Sequence, residues 1–248
     1  MALPSVEDVA NRIHMACKDT AEKKARLGVC TIARGHKQSI GYGVLVSDQC
    51  VDDLELSEYC IVTINEVVHA SENKTFEGKY QATFQKNNSK PKTLDLQNIT
   101  KKLMRTASGL VLIFLNPSCK DLNHRDKKCS ILSESPLSIG SPCQSSPLFC
   151  FVENKRYNVV KSTGENGEEC VDVLKADGDT AKSASVSAKE IPQGTVILQY
   201  DADGENLMAV GIFKVVSKEH SKISPIWLSS SLNDVLGKLY TFFIPFII

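Results

Sequence analysis

The sequence predicts an all-β protein: two six-stranded antiparallel barrels with a helix at each end. Three observations predict it. Between residues 30 and 225 the apolar residues come in short runs at strand spacing, with no long amphipathic helix among them. Those runs are separated by polar loops, and one pair is joined by the turn Asp201-Ala-Asp-Gly-Glu205, where Gly204 supplies the positive φ that such a hairpin wants. Helical spacing appears only near the two ends. The 248 residues, 42% of them apolar, are enough for one large β domain or two small ones.

The elements follow in order. Ser5 is placed to cap a helix over 5–26, with Asp8 three residues on and Val6, Val9, Ala10, Ile13 and Cys17 forming its stripe. Strand character begins at Val29–Ala33 and resumes at Gly41–Ser47, Tyr59–Asn65 and Lys79–Gln85. Residues 87–92 read as a loop, because Asn and Ser dominate them and Pro91 bars a central strand. Leu110–Leu115 is an unbroken apolar run, as in a strand buried on both faces. Strands resume at Ser146–Val152 and Tyr157–Val160, and Asp177–Lys189 has the composition of a surface loop. Thr195–Tyr200 and Leu207–Val216 are the arms of the hairpin. The expected division is a helical extension over 1–26, a first barrel over 27–120, a crossover over 121–145, a second barrel over 146–229, and a helix with an apolar tail over 230–248. Ser230 or Ser231 would cap that last helix. The tail, Tyr240–Ile248, is too short to cross a bilayer and is interrupted by Pro245. Docking on the chain's own domain is the favoured reading of the tail, with a lipid or partner anchor left open.

Charge and cysteine content bound the function. The formal net charge is zero, which gives no general attraction to nucleic acid or acidic lipid. Residues 71–105 carry eight Lys or Arg against three Asp or Glu. Yet Tyr80 and Phe84 share one parity and face a core, so the run reads as a solvated face and no nucleic-acid partner is expected. The nine cysteines include no CxxC pair, and no metal or cofactor motif appears. The N-terminus lacks a basic start followed by an apolar run, so the expectation is an intracellular or cytoplasmic protein with reduced thiols.

The order of segments over 27–240 resembles the trypsin- and chymotrypsin-like serine peptidases, in style the short-looped HtrA type. Gly41-Tyr-Gly-Val-Leu-Val46 resembles the glycine-rich strand near the start of that family's first barrel. Ile61-Val-Thr-Ile-Asn-Glu-Val-Val68 resembles its Val-Thr-x-x-His-Val segment, and Glu66 stands where the catalytic histidine should be. Gly109-Leu-Val-Leu-Ile-Phe-Leu115 resembles the Asp-Leu-Ala strand, with Gly109 in the aspartate position. Pro192-Gln-Gly-Thr-Val-Ile-Leu198 resembles the Gly-Asp-Ser-Gly-Gly-Pro-Leu motif, with Gly194 at the nucleophile, and Ala209-Val-Gly-Ile-Phe213 resembles the strand after it.

The resemblance implies a frame whose chemistry is missing. Hydrolysis by this route needs an oxygen nucleophile, a base, and a group that orients the base. Gly194 has no side chain, an exposed Glu66 is a weak base near neutral pH, and Gly109 orients nothing. Pro192 has no N–H to donate to an oxyanion. The expectation is therefore a catalytically inactive member that binds a protein or peptide partner, with no catalytic residue. Two alternatives stay open. One is an active hydrolase with a rearranged site, using Thr180 of Gly178-Asp-Thr180 or His69, although neither has an identifiable orienting partner. The other is a membrane-peripheral structural domain.

Overall fold

A computed structural model describes residues 6–35, 39–47, 59–70, 75–86, 89–116, 119, 136–153, 155–164, 166–175, 185–217 and 222–232. Helix α1 spans Val6–Gly28, two residues beyond the expected end. Its small side chains Ala21 and Ala25 are buried, which lets the helix lie close against the β body. From the same stretch Glu22 accepts from Arg156 and, at 3.2 Å, from the Tyr200 hydroxyl. Arg26 stacks on Phe151 and Arg156 on Phe149, at 4.4 and 4.2 Å from the ring centroids.

The first sheet contains β1 (Val29–Arg34), β2 (Ser39–Val46), β3 (Cys60–Ile64), β4 (Tyr80–Lys86), β5 (Ser89–Asp95), β6 (Thr100–Arg105) and β7 (Leu110–Leu115). Its order is β5-β4-β1-β2-β3-β7-β6. Between β5 and β6 lies only the single turn α2, Leu96–Ile99. The two strands are thus halves of one bent pass, the first half pairing β4 and the second β7. Six passes close a barrel. Asp95 makes the bend by accepting from the Gln97 N–H at 3.0 Å, and Leu96 and Ile99 turn inward.

β5 corrects the reading of 87–92 as a loop, since residues from Ser89 onward pair with β4. Pro91 is tolerated because the register slips between Phe84 and Lys86, and proline falls in the slipped stretch between Ser89 and Lys92.

The second sheet contains β9 (Leu148–Val152), β10 (Lys155–Thr163), β11 (Glu169–Lys175), β12 (Val196–Tyr200), β13 (Leu207–Ser217) and β14 (Lys222–Trp227). Its order is β11-β10-β9-β12-β13-β14, and β11 lies beside β14. Numbering the passes of each barrel one to six gives the same cycle twice, 1-2-3-6-5-4. The expected all-β double barrel is present, with a repeated strand order. β6, β11 and β14 had no strand signal in the sequence: Thr100, Lys101, Lys102 and Arg105 leave β6 mostly polar, Glu169, Asp172 and Lys175 interrupt β11, and Pro225 stands inside β14.

Of the crossover over 121–145, residues 136–145 are described, and they do more than link. Leu137 is buried, donates to Leu45 O at 2.9 Å and accepts from the Ser47 N–H at 3.4 Å. Directly after it, β8 (Ser138–Ile139) pairs in parallel with β13. One short strap therefore bonds to both barrels. The main core also spans them, joining Ile61, Leu112 and Phe114 to Phe149, Leu198 and Ile212. A second cluster, including Cys150, Val173, Ile197 and Phe213, fills the second barrel. Residues 228–232 are helical, with Leu228 in the main core. The apolar tail lies outside the described residues, and no described helix is long and apolar enough to cross a membrane.

Candidate functional site

The three positions that the resemblance makes degenerate meet at one turn. After β3, the N–H groups of Val67 and Val68 both donate to Ile64 O, at 3.0 and 3.1 Å, and curl the chain into a helical turn. Asn65 Oδ1 accepts from the Ala70 N–H at 3.3 Å and fixes its far end. Val67 and Val68 are buried, which leaves Glu66 at the surface between Asn65 and the core. The Gly109 carbonyl accepts from the Asn65 N–H at 2.9 Å, one residue before Glu66. Gly194 packs on Val67, one residue after it.

Each position has a local cause for its residue. Gly109 closes the β6–β7 hairpin at φ +92°, where side chains are disfavoured, and Thr106 caps that turn by accepting from the Leu110 N–H at 3.0 Å. Gly194 is at φ +78°, and a Cβ built there would lie 2.3 Å from Tyr42 O. No serine fits that place without moving the backbone of β2. Glu66 has a partner from the other barrel, the Lys214 ammonium on β13 at 2.8 Å.

The N–H groups of Gly194 and Thr195 are already used. Its own N–H donates to Phe213 O at 3.0 Å, and the Thr195 N–H and hydroxyl both donate to Pro192 O, at 3.3 and 2.8 Å. Tyr42 holds the loop from the first barrel: its N–H donates to Gln193 O at 2.9 Å, and its carbonyl accepts from the buried Thr63 hydroxyl at 2.7 Å. Its phenol accepts from the Glu153 N–H at 3.5 Å, and burial pushes its pKa above the ordinary tyrosine value. The Gln193 side chain bonds twice to Val215: Nε2 donates to its carbonyl at 3.0 Å and Oε1 accepts from its N–H at 3.0 Å. The junction is thus a web of satisfied backbone groups around one surface ion pair.

The other candidates do not join it as chemistry. His69 is exposed, and its backbone is tied to the Tyr80 hydroxyl and to Glu77, at 3.2 and 2.9 Å. Thr180 lies outside the described residues. No group of three metal-ligating side chains occurs among the described residues. Cys17, Cys30, Cys119, Cys143, Cys150 and Cys170 are free thiols. Lys214, Gln193 and Tyr42 were missed in the sequence. Lys214 had a usable signal, a single cation inside the apolar run Ala209–Val216. Gln193 and Tyr42 had none.

No family model matches the chain, and no curated protein matches it. Among solved structures it is similar to the serine endoprotease from Yersinia pestis, at 12% identity and a TM-score of 0.43, over 96% of this chain and 68% of that one. The double barrel described above follows from the strand ladders and not from this likeness.

Proposed function

We propose that this chain is a non-catalytic, protein-binding module built on a serine-peptidase-like double barrel. The observation that carries the reading is the close approach at Gly194: its place against Tyr42 O leaves no room for a nucleophile at that position. Two further features support it. Glu66 is engaged by Lys214, and the N–H groups of Gly194 and Thr195 already have acceptors. The partner class is a protein or peptide, and the reading requires no cofactor or metal.

The test is a graft. The triple variant Glu66→His, Gly109→Asp, Gly194→Ser supplies the residue types that the peptidase resemblance asks for. It is expected to stay inactive on a panel of fluorogenic peptides and esters, as the unmodified chain is. The Gly194→Ser change by itself is expected to cost about 2–4 kcal/mol in urea denaturation, from backbone strain and overpacking. Turnover by the purified unmodified chain, abolished by Thr180→Ala, would overturn the reading in favour of a rearranged hydrolase.

A further inference from the structure

The stretch that resembles the peptidases, 27–240, leaves out most of α1 and of the apolar tail, so the double barrel alone accounts for neither. Only the last two turns of α1 are buried. Ala21 and Ala25 lie against the β body, whereas Cys17, one turn before Ala21 on the same face, is exposed. Continued towards the N-terminus at helical spacing, that face runs through Ile13, Ala10 and Val6. Of the described side chains between Arg12 and Thr20, none is buried. A helical end of this length gains its stability from packing and little from propensity, so an uncovered apolar stripe along it calls for an occupant.

The place where the described chain ends supplies one. The His14 ring comes within 4.0 Å of a Cβ built at Gly204, and Lys18 lies over the Tyr200 ring at 5.5 Å. This half of α1 therefore runs past the turn between β12 and β13. Beside that turn Met208 pairs with Ser138 and packs on Gly140, and the Ser141 hydroxyl donates to the Ser229 hydroxyl at 2.9 Å. Residues 228–232, the last described, thus sit at the same end of the second barrel as the uncovered half of α1. Residues 233–248 can span roughly 50 Å when extended, which is ample for that distance. From Tyr240 onward they carry no charge, and neither do Val6, Ala10, Ile13 and Cys17. Apolar surface on both sides gains by leaving water, and no ion has to be desolvated between them. We propose that the segment 240–248 lies along the Val6–Cys17 face of α1, closing the two ends of the chain on each other beside the β12–β13 turn. A lipid surface or a partner would then have to take the tail from α1. The proposal does not depend on whether the barrels are catalytic.

Cys17 reports on the cover. Its alkylation by iodoacetamide at pH 7 is followed by peptide mass spectrometry, relative to the rate of the same thiol in denaturant. The full chain is compared with a chain truncated after Leu239 and with the double variant Phe243→Asp, Phe246→Asp. Both changes are expected to speed alkylation of Cys17 at least tenfold. Equal rates in the three chains overturn the proposal, because the tail then covers nothing at Cys17. Protection of Cys17 that appears only on adding phosphatidylcholine or phosphatidylserine vesicles gives the tail to lipid and overturns it as well. A second measurement stands even if both altered chains fail to fold. Phe242→Cys, Phe243→Cys, Phe246→Cys and Ile247→Cys are made singly in the full chain and exposed to oxidised glutathione. At least one is expected to form a disulfide with Cys17 inside one chain. A disulfide-linked dimer through Cys17 instead gives the tail to a second copy, and no link to Cys17 from any of the four leaves the tail elsewhere; either result overturns the contact.

Discussion

Three cysteines, Cys30, Cys143 and Cys150, show how far burial separates side chains of one type. Cys150 is sealed in the interior of the second barrel, where burial pushes its thiol up to about 12. Cys30 is as deeply buried in the main core and is pushed up by the same cause to about 12. Cys143 is exposed, and a hydrogen bond with the Ser145 hydroxyl at 2.9 Å lowers its pKa. A lower pKa leaves more thiolate at neutral pH, and the thiolate is what alkylates. Iodoacetamide at pH 7 is therefore expected to modify Cys143 well before the two buried thiols, which should react only after denaturation. Peptide mass spectrometry over a time course reads this order, and early labelling of Cys30 or Cys150 would contradict the core described above. None of it was visible in the sequence, because cysteine spacing reports pairing and metal binding but not depth. The degenerate positions were more legible. Glu66 and Gly109 flank apolar strands whose pattern is plain, so their register could be set from either side. Gly194 was framed by the strand that follows it, but its fit against Tyr42 depends on a contact between residues 152 positions apart in the chain.

Among the elements, α1 and the second barrel are joined through one carboxylate. Glu22 lies beside Arg156 and accepts from the Tyr200 hydroxyl, while Lys18 sits 5.5 Å from the centre of the Tyr200 ring. Burial first, and the Glu22 charge second, push the Tyr200 pKa up to about 12. A tyrosine that ionises later in the folded chain than in the unfolded one favours folding while it stays neutral. That stabilisation is fully present below the unfolded value near 10 and is lost as pH rises towards about 12. An absorbance titration at 295 nm should show a late-ionising tyrosine that disappears in Tyr200→Phe. If the variant titrates like the parent, α1 does not dock as described. The helix itself was legible because helical spacing is local, but Cys17 of its expected stripe is exposed and the buried positions are Ala21 and Ala25. Its docking was not, since nothing in Glu22 points to a partner 134 residues away. β5 failed for a related reason: a proline forbids a strand only where its missing N–H would have been paired, and a slip in register removes that demand.

At the scale of the molecule, the two barrels share a strand order but differ in how the ring is shut. In the first, the closing pass is one covalent piece, with backbone ladders to β4 on one half and to β7 on the other. In the second, no ladder joins β11 to β14 among the described residues, and side chains span the gap. Lys222 meets Glu168 at 2.7 Å, and the Trp227 indole N–H donates to Glu169 at 2.8 Å. Lys161 reaches Glu169 at 3.7 Å and lies over the Trp227 ring at 4.6 Å. The hydrogen bond from Lys222 holds the Glu168 carboxyl below its usual range, so its contribution is present at neutral pH and lost as acid protonates it. A barrel laced by ammonium and carboxylate groups responds to the solvent in a way that a barrel shut by peptide bonds does not. The second barrel is expected to breathe along this lacing, and amide protection, measured against the intrinsic exchange rate under each condition, should fall in β11 and β14 in 1 M sodium chloride or at pH 3 by more than in β4 and β7. Equal responses in both barrels would mean that the lacing carries no strain. An unequal response would make the second barrel the half that loosens first when salt or acid reaches the protein.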